Sequence, residues 1–259
     1  MTASVLILGA TRGLGASLTK LYASKPSTTV FATTRSSTPP SSPSFSSKNV
    51  HWLVDIDLAS PDVGQKLISQ LPSSTKLATA IISAGYFGFE TFDDPDWEKE
   101  LQMYTTSAIA PVFIVHHLVK GALLGQGSKV ILVSSESGSI TLRHEKEGGG
   151  NYGHHASKAA LNMVGKLLSL DLRGKGVAVG LVHPGFMRTE MTRSVGFDKY
   201  WDDGGAVTPD EAAESLASFI EDFDLSKTGQ YWAPRGPRDI GTAEVVLGRG
   251  LPTPLELPW

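Results

Sequence analysis

The sequence predicts a single α/β domain over residues 1–259, built on a doubly wound parallel sheet of about seven strands with helices on both faces. Three observations predict it. The chain opens on a short apolar run, Ser4–Leu8, then a three-glycine turn, then a helical repeat with apolar residues at 14, 18, 21 and 22. Strand-like and helix-like segments alternate from there onward. The strand-like runs are apolar almost throughout, as expected of strands covered on both sides.

The elements follow in order. Thr28–Thr33 reads as the second strand and ends at Thr34–Arg35. Residues 36–47 hold seven serines and three prolines, so 36–48 is expected to be a solvated, mobile loop. Val50–Val54 is the third strand, Asp62–Leu71 a short helix, and Leu77–Ile82 the fourth strand, ending in Ser83–Ala84–Gly85. Trp97 to about Lys120 reads as one long helix kinked at Pro111. Asp93–Asp96 marks its start, where the helix dipole favours carboxylates. Lys129–Val133 is the fifth strand, ending in Ser134–Ser135. His154–Arg173 is a second long helix, and Val177–Val182 a sixth strand before His183–Pro184–Gly185. Pro209–Phe223 is a helix with Thr208 as N-cap and Pro209 at its first position. Tyr231–Trp232 begins a seventh strand, and residues 233–259 form an irregular tail.

Composition excludes several functions. There is no cysteine, hence no disulfide, thiol nucleophile or zinc-thiolate site. A net charge of −3 offers no attraction for nucleic acid or an anionic membrane. No apolar window reaches the ~18 residues of a bilayer span, and the N-terminus shows no leader pattern, so a cytoplasmic location is expected. His116, His117 and His155 read as packing or subunit contacts, and Glu145–Glu147 as a solvated loop; no His/Asp/Glu set has metal-ligand spacing.

In a wound sheet, ligands sit beyond the carboxyl ends of the strands. The glycine turn comes first. Gly9 permits a sharp turn, Gly13 a close approach of backbone to a diphosphate, and Gly15 close packing of helix on strand. Thr11, Arg12 and Leu14 complete that turn, whose N–H groups face the phosphates. Strand two ends without a carboxylate for a free ribose hydroxyl. Arg35 and Arg12 offer cations for a 2′-phosphate instead, so the expected cofactor is NADP(H). Asp55 and Ile56 would frame the adenine. Ser83, Ala84, Gly85, Ser135 and the Pro184–Thr189 segment reach the same edge.

With Ser157–Lys158 on the long helix, these residues resemble the short-chain dehydrogenase/reductase family, and within it the C-factor and sniffer-like carbonyl reductases. Val133–Gly138 is similar to the family's serine segment, Tyr152–Leu161 to its Y-x-x-x-K helix, and Pro184–Thr189 to its P-G-x-x-x-T segment. The resemblance implies a Rossmann-type fold and an oxidoreductase acting on a carbonyl/alcohol of a small molecule. It implies that Pro184, Gly185, Met187 and Thr189 contact the nicotinamide, Thr189 through the amide, and that Lys158 holds the ribose. It also implies pairing through the helices at 97–120 and 154–173 into a dimer or tetramer.

The family centre is Asn, Ser, Tyr and Lys. Ser135 and Lys158 match, but the tyrosine position is His154, and the asparagine position, four before Pro111, is Ser107. His154 and Lys158, four apart, share a helix face. Tyr152, about 240° from Lys158 round the helix, cannot stand in for the phenol unless the chain bends back before the helix. An ammonium lowers the pKa of a neighbouring imidazole from about 6.5, which makes His154 a base and a poor acid. The expected catalytic set is Ser135, His154, Lys158 and Ser107. Phe186, Phe197, Tyr200 and Trp201 lie in the segment 186–207, which covers the substrate in the family and suits a flat, apolar molecule. Two alternatives stay open: a non-redox, isomerase-type enzyme with His154 as base, and a catalytically silent nucleotide-binding protein.

Overall fold

The structure is a computed structural model and describes residues 3–41 and 47–259. The centre of the serine/proline loop, 42–46, lies outside the described residues.

Eight strands form one sheet in the order β3-β2-β1-β4-β5-β6-β7-β8. They are β1 (Ala3–Leu8), β2 (Thr28–Thr33), β3 (Val50–Leu53), β4 (Thr79–Ile82), β5 (Lys129–Val133), β6 (Ala178–Val182), β7 (Tyr231–Ala233) and β8 (Leu255–Glu256). The first seven pair in parallel. The order reverses beside β1, between β1 and β4, and opens a crevice at the carboxyl edge.

The side chains of β1 alternate between two cores. Leu6 and Leu8 pack with β4, β5 and the helices α2 (Val63–Ser69), α4 (Ala110–Lys120) and α5 (Tyr152–Arg173). Val5 and Ile7 pack with α1 (Gly13–Ala23) and α7 (Pro209–Glu221) on the opposite face. A strand covered twice must be apolar at every position, which is why Val5–Leu8 reads as an unbroken run.

Two expectations change. The long helix is divided: α3 (Trp97–Tyr104) passes through a π-turn at Thr105–Ile109 into α4, with Pro111 in its first turn. Pro111 has no N–H for the Ser107 carbonyl, and the wider turn accommodates that loss. The tail is not irregular throughout. It holds α8 (Ala243–Leu247) and β8, which pairs antiparallel with β7. A two-residue strand is too short to show a period.

Local capping follows the sequence. Asp96 accepts the Lys99 N–H at 3.0 Å at the start of α3, and Thr208 forms a capping box with Glu211 ahead of α7. Among the described residues no helix is long and apolar enough to cross a membrane, and no group of three or more His, Asp or Glu could hold a metal.

Candidate active site

The glycine turn is built as its residue types require. Gly9 has φ +83, and a Cβ there would lie 2.7 Å from the Ala84 backbone. A Cβ on Gly15 would lie 2.1 Å from the Gly9 carbonyl. Gly13, at φ +52, faces Thr189, whose methyl would sit 3.5 Å from an added Cβ. The turn, the end of β4 and the segment after β6 therefore meet at one rim. Thr189 is also the N-cap of α6 (Glu190–Ser194), accepting the Thr192 N–H at 3.2 Å. Met187 bridges to Val207, and Pro184 and Gly185 are buried.

Arg12 and Arg35 are exposed beside this turn, and neither has an ion-pair partner among the described residues. Leu14 is buried in the core, so its main chain is what the turn presents. Asp55 adopts φ 53 and donates its N–H to the Ser36 carbonyl at 3.0 Å. Ile56 is 1% exposed within the core cluster, and its N–H donates to the Thr34 carbonyl at 3.0 Å.

Lys158 is buried, and its Nζ donates to the Val133 carbonyl at 2.9 Å. A Cβ on Gly85 would stand 3.9 Å from that Nζ, which ties the end of β4 to α5. Burial pulls the ammonium down from 10.5 to about 8. Ser135 follows β5 half-buried, its Oγ accepting the Ser137 N–H at 3.2 Å. His154 lies one turn before Lys158. Burial first, and the Lys158 ammonium second, hold its imidazole well below 6.5. Its Nδ1 is sealed from solvent without a partner, and Phe87 stacks on the ring at 4.0 Å between centroids. Ser107 is fully enclosed in the π-turn, and its hydroxyl also lacks a partner. Tyr152 begins α5, 42% exposed, with its hydroxyl beside Gly149, so it offers no phenol to Lys158.

Other residues that fix the site carried no signal in the sequence. Tyr231, buried in β7, donates its hydroxyl to the Ser135 carbonyl; burial pushes that phenol well above 10, so it stays a donor. Asn162 accepts from the Ser134 hydroxyl at 2.6 Å and donates to the Gly138 carbonyl at 3.3 Å. His183 Nδ1 accepts the Glu136 N–H at 3.0 Å. The serine segment is thus held from β6, β7 and α5. Asp239, in the tail, accepts the Phe186 N–H at 2.8 Å and crowds Gly185, whose φ is +107. Phe87 lay in a stretch without periodicity, yet it links His154 to Phe197, 5.7 Å away edge-on. His155 bonds the Asn151 carbonyl and His117 the Phe113 carbonyl, each four residues back along the chain.

A wound sheet with a glycine turn, two exposed arginines without an ion-pair partner among the described residues, and a buried lysine on its carboxyl rim defines a dinucleotide-binding α/β protein. The chain belongs to the short-chain dehydrogenase family, whose profile, described as "short chain dehydrogenase", matches residues 3–199. The short chain dehydrogenase gsfK of Penicillium aethiopicum is 30% identical over 247 residues, covering 89% of this chain and 96% of that one. Among solved structures, the carbonyl reductase Sniffer of D. melanogaster superposes with a TM-score of 0.75 at 22% identity over 100% of both chains. The NADPH-bound carbonyl reductase from chicken fatty liver superposes with a TM-score of 0.75 at 22% identity, covering 90% of this chain and 96% of that one.

Proposed function

We propose that the protein is an NADP(H)-dependent oxidoreductase acting on a carbonyl/alcohol pair of a small, partly aromatic molecule. One observation carries this reading: Ser135, Lys158 and the glycine turn converge on one rim of the sheet, with Arg12 and Arg35 unpaired beside it. Gly9 and Gly15 let the turn pack against Ala84 and on itself, and Gly13, with only Thr189 at 3.5 Å from an added Cβ, leaves its main chain open to a diphosphate; the two guanidinium groups suit a 2′-phosphate. The NADPH in the chicken reductase structure is consistent with that choice.

The glycine turn, Arg12 and Arg35 would hold NADPH, which would supply a hydride to a carbonyl carbon. The Ser135 hydroxyl hydrogen-bonds the carbonyl oxygen and orients it. The developing alkoxide needs a proton, and His154, neutral at pH 7, cannot give one. Lys158, with its pKa about 8, carries a proton at pH 7 and sits close enough to neutrality to release it. Lys158 is therefore the acid, and His154 with Phe87 forms an apolar, water-excluding wall. Phe197, edge-on to Phe87 at 5.7 Å, extends that wall into the segment 186–207. A second reading rests on the neutral imidazole, which is a competent base: proton abstraction beside a carbonyl without net redox change.

The test is to follow loss of NADPH absorbance with a panel of 1,2-diketones and quinones. Turnover is expected, and His154→Tyr is expected to raise it by restoring a phenol beside Lys158. Absence of NADPH binding would refute the oxidoreductase reading. Hydrogen–deuterium exchange of a ketone's α-protons without NADPH consumption would select the second.

Ile109 at the end of the π-turn and Val112 and Phe113 on α4 are exposed, as are Met163, Leu167 and Leu170 on α5. These stripes support pairing of two copies into a homodimer.

A further inference from the structure

We propose that Asp239 is a positioning residue: from the tail it holds the Gly185–Phe186 peptide, and so sets where the Pro184–Thr189 segment meets the nicotinamide half of the cofactor. The proposal rests on the oxidoreductase reading, which puts that segment against the nicotinamide.

The Asp239 carboxylate is seated on this peptide. Its Oδ2 accepts the Phe186 N–H at 2.8 Å. Gly185, at φ +107, has no room for a side chain: a Cβ would collide with that same oxygen and lie 3.0 Å from Arg235 Cδ. Conformation and space therefore both require glycine there. The Asp239 side chain is 1% exposed. Arg235 Nε stands 3.6 Å from Oδ2, too far for a hydrogen bond. The other oxygen, Oδ1, is sealed without a donor among the described residues. A carboxylate buried on such terms adds little to stability. What it fixes is the course of the chain after β6.

The rest of the segment is tied together on its other side. The Phe186 carbonyl accepts the Val207 N–H at 2.9 Å, and the Arg188 N–H donates to the Val207 carbonyl at 2.8 Å. The Thr192 hydroxyl donates to the Met187 carbonyl at 2.8 Å. Two side chains then reach the rim. Thr189 faces Gly13, and a Cβ on Gly85 would lie 3.8 Å from Met191 Cε and 3.9 Å from Lys158 Nζ. Residues 186–192 thus form one piece, joined to β6 through Gly185, whose backbone has the widest freedom of any residue. Asp239 removes that freedom. Without its acceptor the peptide can turn, and Thr189 and Met191 shift against the glycine turn and Lys158. Arg35, at the end of β2, lies on the opposite side of β1 from β6 and is left in place.

Alanine at 239 would strand Arg235, so the acceptor is removed in Arg235→Met/Asp239→Leu, which exchanges two buried charges for apolar side chains of similar volume, a swap folds tolerate. Asp239→Asn keeps an oxygen for the Phe186 N–H. Amide hydrogen exchange of the full chain without nucleotide is compared with titrations of NADPH and of 2′,5′-ADP, which lacks the nicotinamide. In the double variant the Phe186 amide is expected to exchange at least tenfold faster, and NADPH to bind at least tenfold more weakly, with 2′,5′-ADP within threefold of wild type. Asp239→Asn is expected to restore all three. Unchanged exchange at Phe186, equal weakening of both ligands, or an Asn variant as impaired as the double would overturn the proposal. A wild type that binds neither ligand would refute the oxidoreductase reading instead, and the exchange arm, read without nucleotide, would still decide the tether.

Discussion

Replacing Lys158 by methionine removes the ammonium and keeps the side-chain length. The ammonium is enclosed at 7% exposure, with burial as the sole cause of its depressed pKa. A fall from 10.5 to about 8 corresponds to ~3 kcal/mol against the folded state at pH 7. Losing the 2.9 Å bond to the Val133 carbonyl returns about 1 kcal/mol. Lys158→Met is therefore expected to stabilise the fold by ~2 kcal/mol at pH 7, or roughly 4–8 °C in Tm. The sign with pH is fixed. Between about 8 and 10.5 the unfolded lysine holds a proton that the folded one has lost, so wild-type stability rises with pH there relative to the variant. Below 8 the gap is constant; near 10.5 it closes. Urea unfolding of both proteins at pH 7 and pH 10 reads this directly. A variant less stable than wild type at pH 7, or a gap unchanged at pH 10, would refute the burial argument. The same substitution is expected to abolish reduction, which sets stability against function at one atom.

Ser107→Ala should be neutral or stabilising by up to about 1 kcal/mol in chemical unfolding, because the hydroxyl is enclosed without a partner; a loss above 1 kcal/mol would reveal a bond the geometry lacks. Arg35→Ala should weaken NADPH at least tenfold more than NADH in fluorescence titration, whereas equal weakening would show that Arg35 does not read the 2′-phosphate. The rate of NADPH-dependent reduction should hold level through pH 6.5 and fall above about 8 as Lys158 loses its proton; a fall already complete below pH 6.5 would place the acid on His154 instead. Leu167→Glu should convert a dimer to a monomer in sedimentation, and an unchanged mass would move the interface elsewhere.

The apolar runs and the glycine turn made the fold legible, since a strand buried on both faces and a backbone at positive φ each restrict residue type locally. Thr208 as a cap and Asp93–Asp96 as a helix start were legible for the same reason: the interactions that favour them close within one turn. The missing phenol at His154 and the Ser107 substitution were also plain in the sequence, and so was the direction of the imidazole's pKa. The sequence named Lys158 as a neighbour of His154; burial, which dominates both pKa values, exists only once Phe87 and the end of β4 close over them. Tyr231, Asn162 and Asp239 hold the serine segment and the Pro184–Gly185 turn from elements 28 to 96 residues away in the chain. A contact across that distance leaves no period or motif, so it appears only when the sheet order brings β5, β6 and β7 side by side. The sequence alone determined which backbone turns and buried strands the chain can form; the tertiary packing decided which groups lose water, and with it which can carry a proton.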